Sequence, residues 1–352
     1  MFGKSKKERK KIDHLAIDKK TKGSSKQIGL EVIKNVIRMS VVQGNDIIYG
    51  EKLLEGTIIK RDKLRNSEEL SDAMRSLAKE LGVSGGRVVY HLNNQTVLIQ
   101  ELKDVADKSE KQIRQNLFLE LGDSIALPFA NPIFELLIAS QPEKISRQSK
   151  KRDKKQEAVL EDTQELLPNN DAVTYIVTSE GLLIELGDCI IQAGLKPAGV
   201  DFSALAVTRC FENKINFKQN FMVVELSSGT ATMTIFEGET PIYVQYEDYN
   251  GVGWRYFSEG KALTYFFNEE RERMELRKLM MVIEQLTYYY QTNLSNNQEL
   301  QTIYVTGEHP WVSGEFEELI KDSLQYPIDI LQFPNHFDSK YILSLGLAMK
   351  EV

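Results

Sequence analysis

The stretch VVELSSGTATMTIF, residues 223–236, runs from apolar residues into Ser227-Ser228-Gly229-Thr230 and straight back into a second apolar run. Two β-rich segments joined by so short a polar tip predict a β-hairpin. Glycine and small hydroxyls leave the backbone N–H groups of such a tip uncovered, which is how a turn holds a phosphate. The question for the rest of the chain is whether its surroundings match that use.

Working outward, residues 26–56 predict another hairpin: QIGLEVIKNVIRMSVV and DIIYGEKLLEG flank the turn tripeptide QGN. NSEELSDAMRSLAKELG predicts a helix. Asn66 or Ser67 caps it, Leu70, Met74, Leu77 and Leu81 share a face, and Gly82 closes it. Residues 84–140 mix strands (GRVVYHL, QTVLIQEL, IFELLIAS) with the helix DKSEKQIRQNLFLELGD, as a small α/β subdomain would. Residues 141–171 have few large apolar groups and pass from a basic to an acidic block, the composition of a mobile loop. Order is expected to resume at 172 as strand, helix, a Gly194 turn and strand.

After the opening hairpin comes a helix whose Leu276, Leu279, Ile283, Leu286 and Tyr290 recur at helical steps, a core-facing seam. LQTIYVTGEHP predicts a strand ending in a glycine turn, GEFEELIKDSL a helix, PIDILQ a strand and SKYILSLGLAMKEV a final helix.

Composition excludes several classes. The chain has 352 residues, 41% of them hydrophobic, enough for two domains. Cys189 and Cys210 form no CxxC pair, and His14, His91, His309 and His336 lack metal-ligand spacing, so neither a disulfide framework nor a metal site is expected. No apolar run reaches the roughly 18–20 residues that span a bilayer, and MFGKSKKERKK has no secretory core, so a cytoplasmic location is expected. Residues 1–27 carry ten Lys/Arg against three acids, which leaves −14 for the body. Such a basic, flexible tail fits a solvated leader or contact with anionic lipid, and the acidic body argues against nucleic acid. No GxxxxGK[ST] loop occurs.

Two hairpins, each opening one half of the chain, plus a late strand ending in Thr-Gly, are the parts of the actin-like ATPase fold. CIIQAGLKPAGVDFSALAVTRCF (189–211), the segment 276–331 and YILSLGLAMK (341–350) resemble the PilM family of type IV pilus assembly proteins, which is FtsA-like. The resemblance covers nearly everything after the tail. It implies an α/β, actin-like (ribonuclease H-like) two-domain fold with an inserted small α/β subdomain. The expected division is a tail 1–27, a first domain 28–83 that returns at 196–219, an insertion 84–195 and a second domain 220–352. It also implies a partner, the cytoplasmic tail of the inner-membrane protein PilN held beside the insertion, and a scaffold role coupling PilN to the pilus motor and platform at the cytoplasmic face of the membrane.

The cofactor implied by the superfamily is ATP with Mg²⁺, and here the loops depart from the pattern. The first hairpin, usually close to Gly-Ile-Asp-Ile-Gly-Ser-Ser-Ser, reads GLEVIKN, with Glu31 for Asp and Ile33 for Gly. The second, usually Asp-Ile-Gly-Ala-Gly-Thr-Thr, reads ELSSGTA, with Glu225 and Ser227 substituted. The adenosine loop Ser-Gly-Gly-Gly has become TGEHP, where Gly307 remains and Glu308 brings a negative charge. Glu31, Lys34, Glu225, Ser227, Ser228, Gly229, Thr230 and Gly307 are therefore the expected positions of a vestigial nucleotide site. Lys34 can pair with a phosphate or lie on the surface. No catalytic residue is expected, because a carboxylate displaced by a methylene, about 1.5 Å, costs on the order of a hundredfold. An active ATPase or sugar kinase of the same superfamily, and an FtsA-like filament protein, are the competing readings. Intact glycine loops would favour the first, and a linker with a membrane helix after AMKEV the second.

Overall fold

The computed structural model describes residues 10–11, 27–137 and 172–352, except 45, 57, 61–62, 107, 122–124, 250–252, 260–261, 296–297, 313–317, 319–323, 325 and 334–336. The expected loop 141–171, most of the tail and most of the predicted helix in 314–324 lie outside the described residues, as do His14 and His336.

The chain begins with strands β1 (Lys10–Lys11), β2 (Gln27–Ile33), β3 (Val36–Gln43) and β4 (Asp46–Leu53), a ribbon β5–β6 (Ile59–Lys60 and Lys63–Leu64), helix α1 (Ser67–Leu81) and β7 (Arg87–His91). Next come β8 (Leu98–Lys103), α2 (Glu110–Glu120), β9 (Pro132–Leu137), β10 (Ala172–Ser179), α3 (Glu180–Gln192), β11 (Lys196–Asp201) and α4 (Ser203–Cys210). The remainder is β12 (Asn220–Ser227), β13 (Thr230–Glu237), β14 (Thr240–Asp248), β15 (Trp254–Glu259), β16 (Ala262–Phe267), α5 (Glu269–Tyr289) with a π turn at Tyr290–Leu294, β17 (Thr302–Gly307), β18 (Ile328–Ile330) and α6 (Ile342–Ala348).

Two sheets repeat one topology. The first has the order β1-β4-β3-β2-β7-β11 and the second β14-β13-β12-β17-β18. In each, an antiparallel three-strand meander is followed by two parallel strands, β7 and β11 or β17 and β18. The inner strand of each meander is buried on both faces, which explains its nearly unbroken apolar run. Met222, Val224 and Leu226 of β12 pack under α5, while Phe221 and Val223 join a core shared with α4 and the first residue of α6. Ile28, Leu30 and Val32 of β2 pack with α1 and α3. The two-residue period then sends Glu31 and Glu225, each near the end of its inner strand, to the side where the two halves face each other.

Three expectations shift. QIGLEVIKNVIRMSVV is not one strand: it turns back at Lys34-Asn35, with Lys34 at φ 51°, so residues 27–53 form a meander with two turns. The insertion does not begin at 84, because β7 pairs with β2 in the first sheet and α3 shares the core of α1. The small antiparallel sheet, in the order β8-β10-β9, comes from residues 98–179 and has its own core of Val105, Ile113, Leu117, Leu136, Val173, Tyr175 and Val177. Finally α6, expected in the second domain, lies on the first sheet. Its backbone approaches so closely that a Cβ on Gly29 of β2 would come within 1.9 Å of the Ser344 carbonyl oxygen, and one on Gly346 within 2.0 Å of that of Ala206 in α4. Short local signals carry no record of such a return, which depends on these two glycines meeting backbone from distant parts of the chain.

Gly346→Ala, placing a methyl group against backbone that cannot rotate away, is expected to lower stability by about 3 kcal/mol, measured as a reduced denaturant midpoint with an unchanged slope.

Candidate functional site

The turns of the two meanders face each other across a cleft. The β12–β13 turn is Ser228-Gly229, with Gly229 left-handed at φ 68°. The β2–β3 turn places Lys34, a non-glycine residue, in the same backbone region. Lys34 Nζ donates to the Gly229 carbonyl at 3.3 Å and pairs with Asp248 at 3.5 Å, so this lysine ties one turn to the other instead of lying free on the surface. Glu31, Lys34, Glu225, Ser227, Thr230 and Gly307 line one cavity of about 80 Å³, enough for a few waters. Ser228 and Gly229 form its turn, so the tertiary structure gathers all eight expected positions.

At the centre is a residue that the sequence reading passed over. Arg38 of β3 is 1% exposed. Its guanidinium bonds Glu31 at 3.1 Å and Glu51 of β4 at 3.2 Å, and crosses the cleft to Glu308, just after β17. The ring of Tyr256 lies 5.5 Å from it, and the Tyr256 hydroxyl donates to Glu308 at 3.0 Å. Lys340, before α6, pairs with Glu51 at 2.6 Å. The other Glu308 oxygen accepts the Ser228 backbone N–H at 2.9 Å. A carboxylate of the chain itself therefore takes the turn donor that a phosphate would use, together with a guanidinium. The signal for Arg38 was a single charge in the apolar strand VIRMSVV, since a charge buried in a sheet needs anions brought to it.

Burial, opposed by Arg38 and aided by the Glu308 charge, pushes Glu31 up to about 8. Its second carboxyl oxygen has no partner among the described residues. Glu225 is pushed up by burial to about 7 against the hydrogen bond from Ser203 Oγ at 2.9 Å. Ser203 in turn accepts from Asn94 at 2.9 Å, and Asn94 also reaches Thr232 of the second sheet at 3.0 Å. His91 is buried with its pKa lowered by burial; its Nε2 accepts from the Val32 N–H at 3.2 Å, holding the end of β2.

The loop after β17 is likewise committed inward. Gly307, at φ 125°, is required because a Cβ there would come within 2.0 Å of the Leu226 carbonyl oxygen. His309 packs edge-on against Trp254 and pairs with Glu272 of α5 at 2.8 Å, both side chains fully buried. Within the chain, the Ser228 N–H is taken by Glu308, Glu31 is paired with Arg38, and Glu225 accepts from Ser203. Among the described residues no group of three His, Cys, Asp or Glu side chains is arranged to hold a metal ion.

Neither a protein-family model nor a curated protein sequence matches the chain. Its structure superposes on a chain of the PilM-PilN type IV pilus biogenesis complex with a TM-score of 0.69 at 14% identity, over 92% of this chain and 98% of that one. The fold is PilM-like and actin-like. Weaker matches are the cytoplasmic domain of EpsL from the Vibrio cholerae type II secretion system (TM-score 0.48, 11% identity, 93% and 95% covered) and the ethanolamine utilization protein EutJ from Carboxydothermus hydrogenoformans (0.47, 12%, 92% and 88%).

Arg38→Met leaves Glu31 and Glu308 buried without their cation and is expected to cost about 3–5 kcal/mol in chemical denaturation. Adding Glu31→Gln and Glu308→Gln should recover a large part of that loss, because the removed charges no longer need a partner. Since the folded-state values of Glu31 and Glu225 lie above the ordinary carboxylate range, their contribution to stability is full below that range and is lost as pH rises through about 7 to 8. Denaturant midpoints should therefore fall between pH 6 and 8.5, and less steeply in Glu31→Gln.

Proposed function

We propose that this chain is a cytoplasmic scaffold of a type IV pilus or related assembly machine, that it binds the cytoplasmic tail of a PilN-like inner-membrane protein, and that it does so without turning over ATP. The observation that carries the reading is the superposition over nearly the whole length of a chain from a PilM-PilN complex. Glu308 supports a scaffold over an ATPase, because it already occupies the Ser228 N–H and the Arg38 guanidinium, two donors that a bound phosphate would draw on. On this reading the eight turn positions are the remnant of a nucleotide site and now act as architecture.

The small sheet is the proposed seat of the membrane protein's tail. Among the described residues β9 pairs with β10 alone and leaves an open edge to which an extended peptide can add. At the C-terminal end of α2, which packs over this sheet, Phe118 and Leu119 are 71% and 68% exposed. Motor and platform proteins, together with anionic lipid at the basic tail, complete the proposed surroundings at the membrane face. Among the described residues no helix is long and apolar enough to cross a membrane.

Calorimetry with a PilN-type tail peptide should give the same affinity with and without ATP and Mg²⁺, and phosphate release should stay at background over hours. Phe118→Asp with Leu119→Asp should weaken capture by about tenfold or more, as loss of a hot spot does, while leaving the unfolding midpoint unchanged. Phosphate release that vanishes in Glu225→Ala would overturn the non-enzymatic part of the reading.

A further inference from the structure

Helix α5 has two apolar faces, and the second sheet accounts for one of them. Leu276, Leu279, Met280, Ile283 and Leu286 are buried against that sheet. On the outward side Met274, Met281 and Tyr288 are 56%, 56% and 66% exposed. They stand seven residues apart, so they form one nearly straight row along the helix, about 21 Å long. Unbranched methionine side chains make such a row adaptable to a facing surface.

The charges beside the row are antisymmetric about Met281. Arg277 and Lys278 precede it and Glu284 follows it. Lys278 already has Glu275 at 2.8 Å on its own helix, whereas Arg277 and Glu284 have no ion-pair partner among the described residues. A two-fold axis through Met281, with a second α5 running antiparallel, sets Met281 on its counterpart and Met274 against Tyr288. It also brings Arg277 opposite Glu284, and each of these last two pairings occurs twice. Parallel alignment would instead stack Arg277 on Arg277 and Glu284 on Glu284, and only the antiparallel one also opposes the helix dipoles.

We propose that α5 docks antiparallel on the α5 of a second copy of this chain, through the row Met274, Met281 and Tyr288 flanked by reciprocal Arg277–Glu284 pairs. A contact of one helix length falls below the roughly 1,200 Å² of a stable complex, so the dimer is weak and dependent on concentration. The inference is independent of the reading of the cleft and of the PilN-type partner.

Sedimentation equilibrium of the full chain, from low to high micromolar, tests it. The weight-average mass is expected to rise from 40.2 kDa toward twice that value. Met281→Glu should hold the mass at the monomer value without lowering the unfolding midpoint. Arg277→Glu alone and Glu284→Arg alone should each weaken self-association by about tenfold. Both in one chain, or an equimolar mixture of the two single variants, should restore it, since either arrangement sets opposite charges face to face. A constant monomer mass for the unmodified chain, a dimer indifferent to Met281→Glu, or a double swap no tighter than the single swaps would each overturn the proposal.

Discussion

A guanidinium taken out of water must be given acceptors, and the structure supplies Arg38 with three carboxyl groups. Glu31 is its neighbour on β2, Glu51 lies on the opposite flank in β4, and Glu308 arrives from the second half of the molecule. Because the last of these crosses the cleft, the desolvation of one side chain is fully compensated when the two halves are in register. Glu308 extends the constraint by accepting from Ser228 and Tyr256, and Lys340 extends it through Glu51 to the entrance of α6. The turn chemistry, the aromatic ribbon β15–β16 and the return of the chain to the first sheet are thereby coupled to one buried charge.

The two halves share a strand order and place an acid at the same point before the first turn, yet their tips differ. Ser228-Gly229 offers its backbone and has it taken by Glu308; Lys34-Asn35 offers a lysine that grips the facing carbonyl. A nucleotide that bridges such tips can shift the equilibrium between open and closed clefts only by its differential affinity for them. Here side chains of the chain itself make that bridge. Such a bridge suits the proposed scaffold role, with recognition proposed for the small sheet, which has a core of its own.

Helix α5 shows how a single element divides its duties by periodicity. The steps of three and four that bury Leu276, Leu279, Ile283 and Leu286 leave the sevenfold row Met274, Met281 and Tyr288 pointing away from the sheet. Reading the first pattern as a core seam is sound, and the second is visible only once the covered face is known.

By itself the sequence determined the hairpin at 223–236, the capped helix after Asn66 and the seam of α5. These follow from periodicity, caps and turn chemistry, which act within a few residues. Only the tertiary structure decided the rest. It split 27–42 at Lys34-Asn35, moved residues 87–91 into the first sheet, carried α6 back onto Gly29, and set Glu308 against Arg38, 270 residues away in the chain. Strand pairing and the neutralisation of a buried charge are long-range events, in which a residue's role depends on partners that local sequence does not contain.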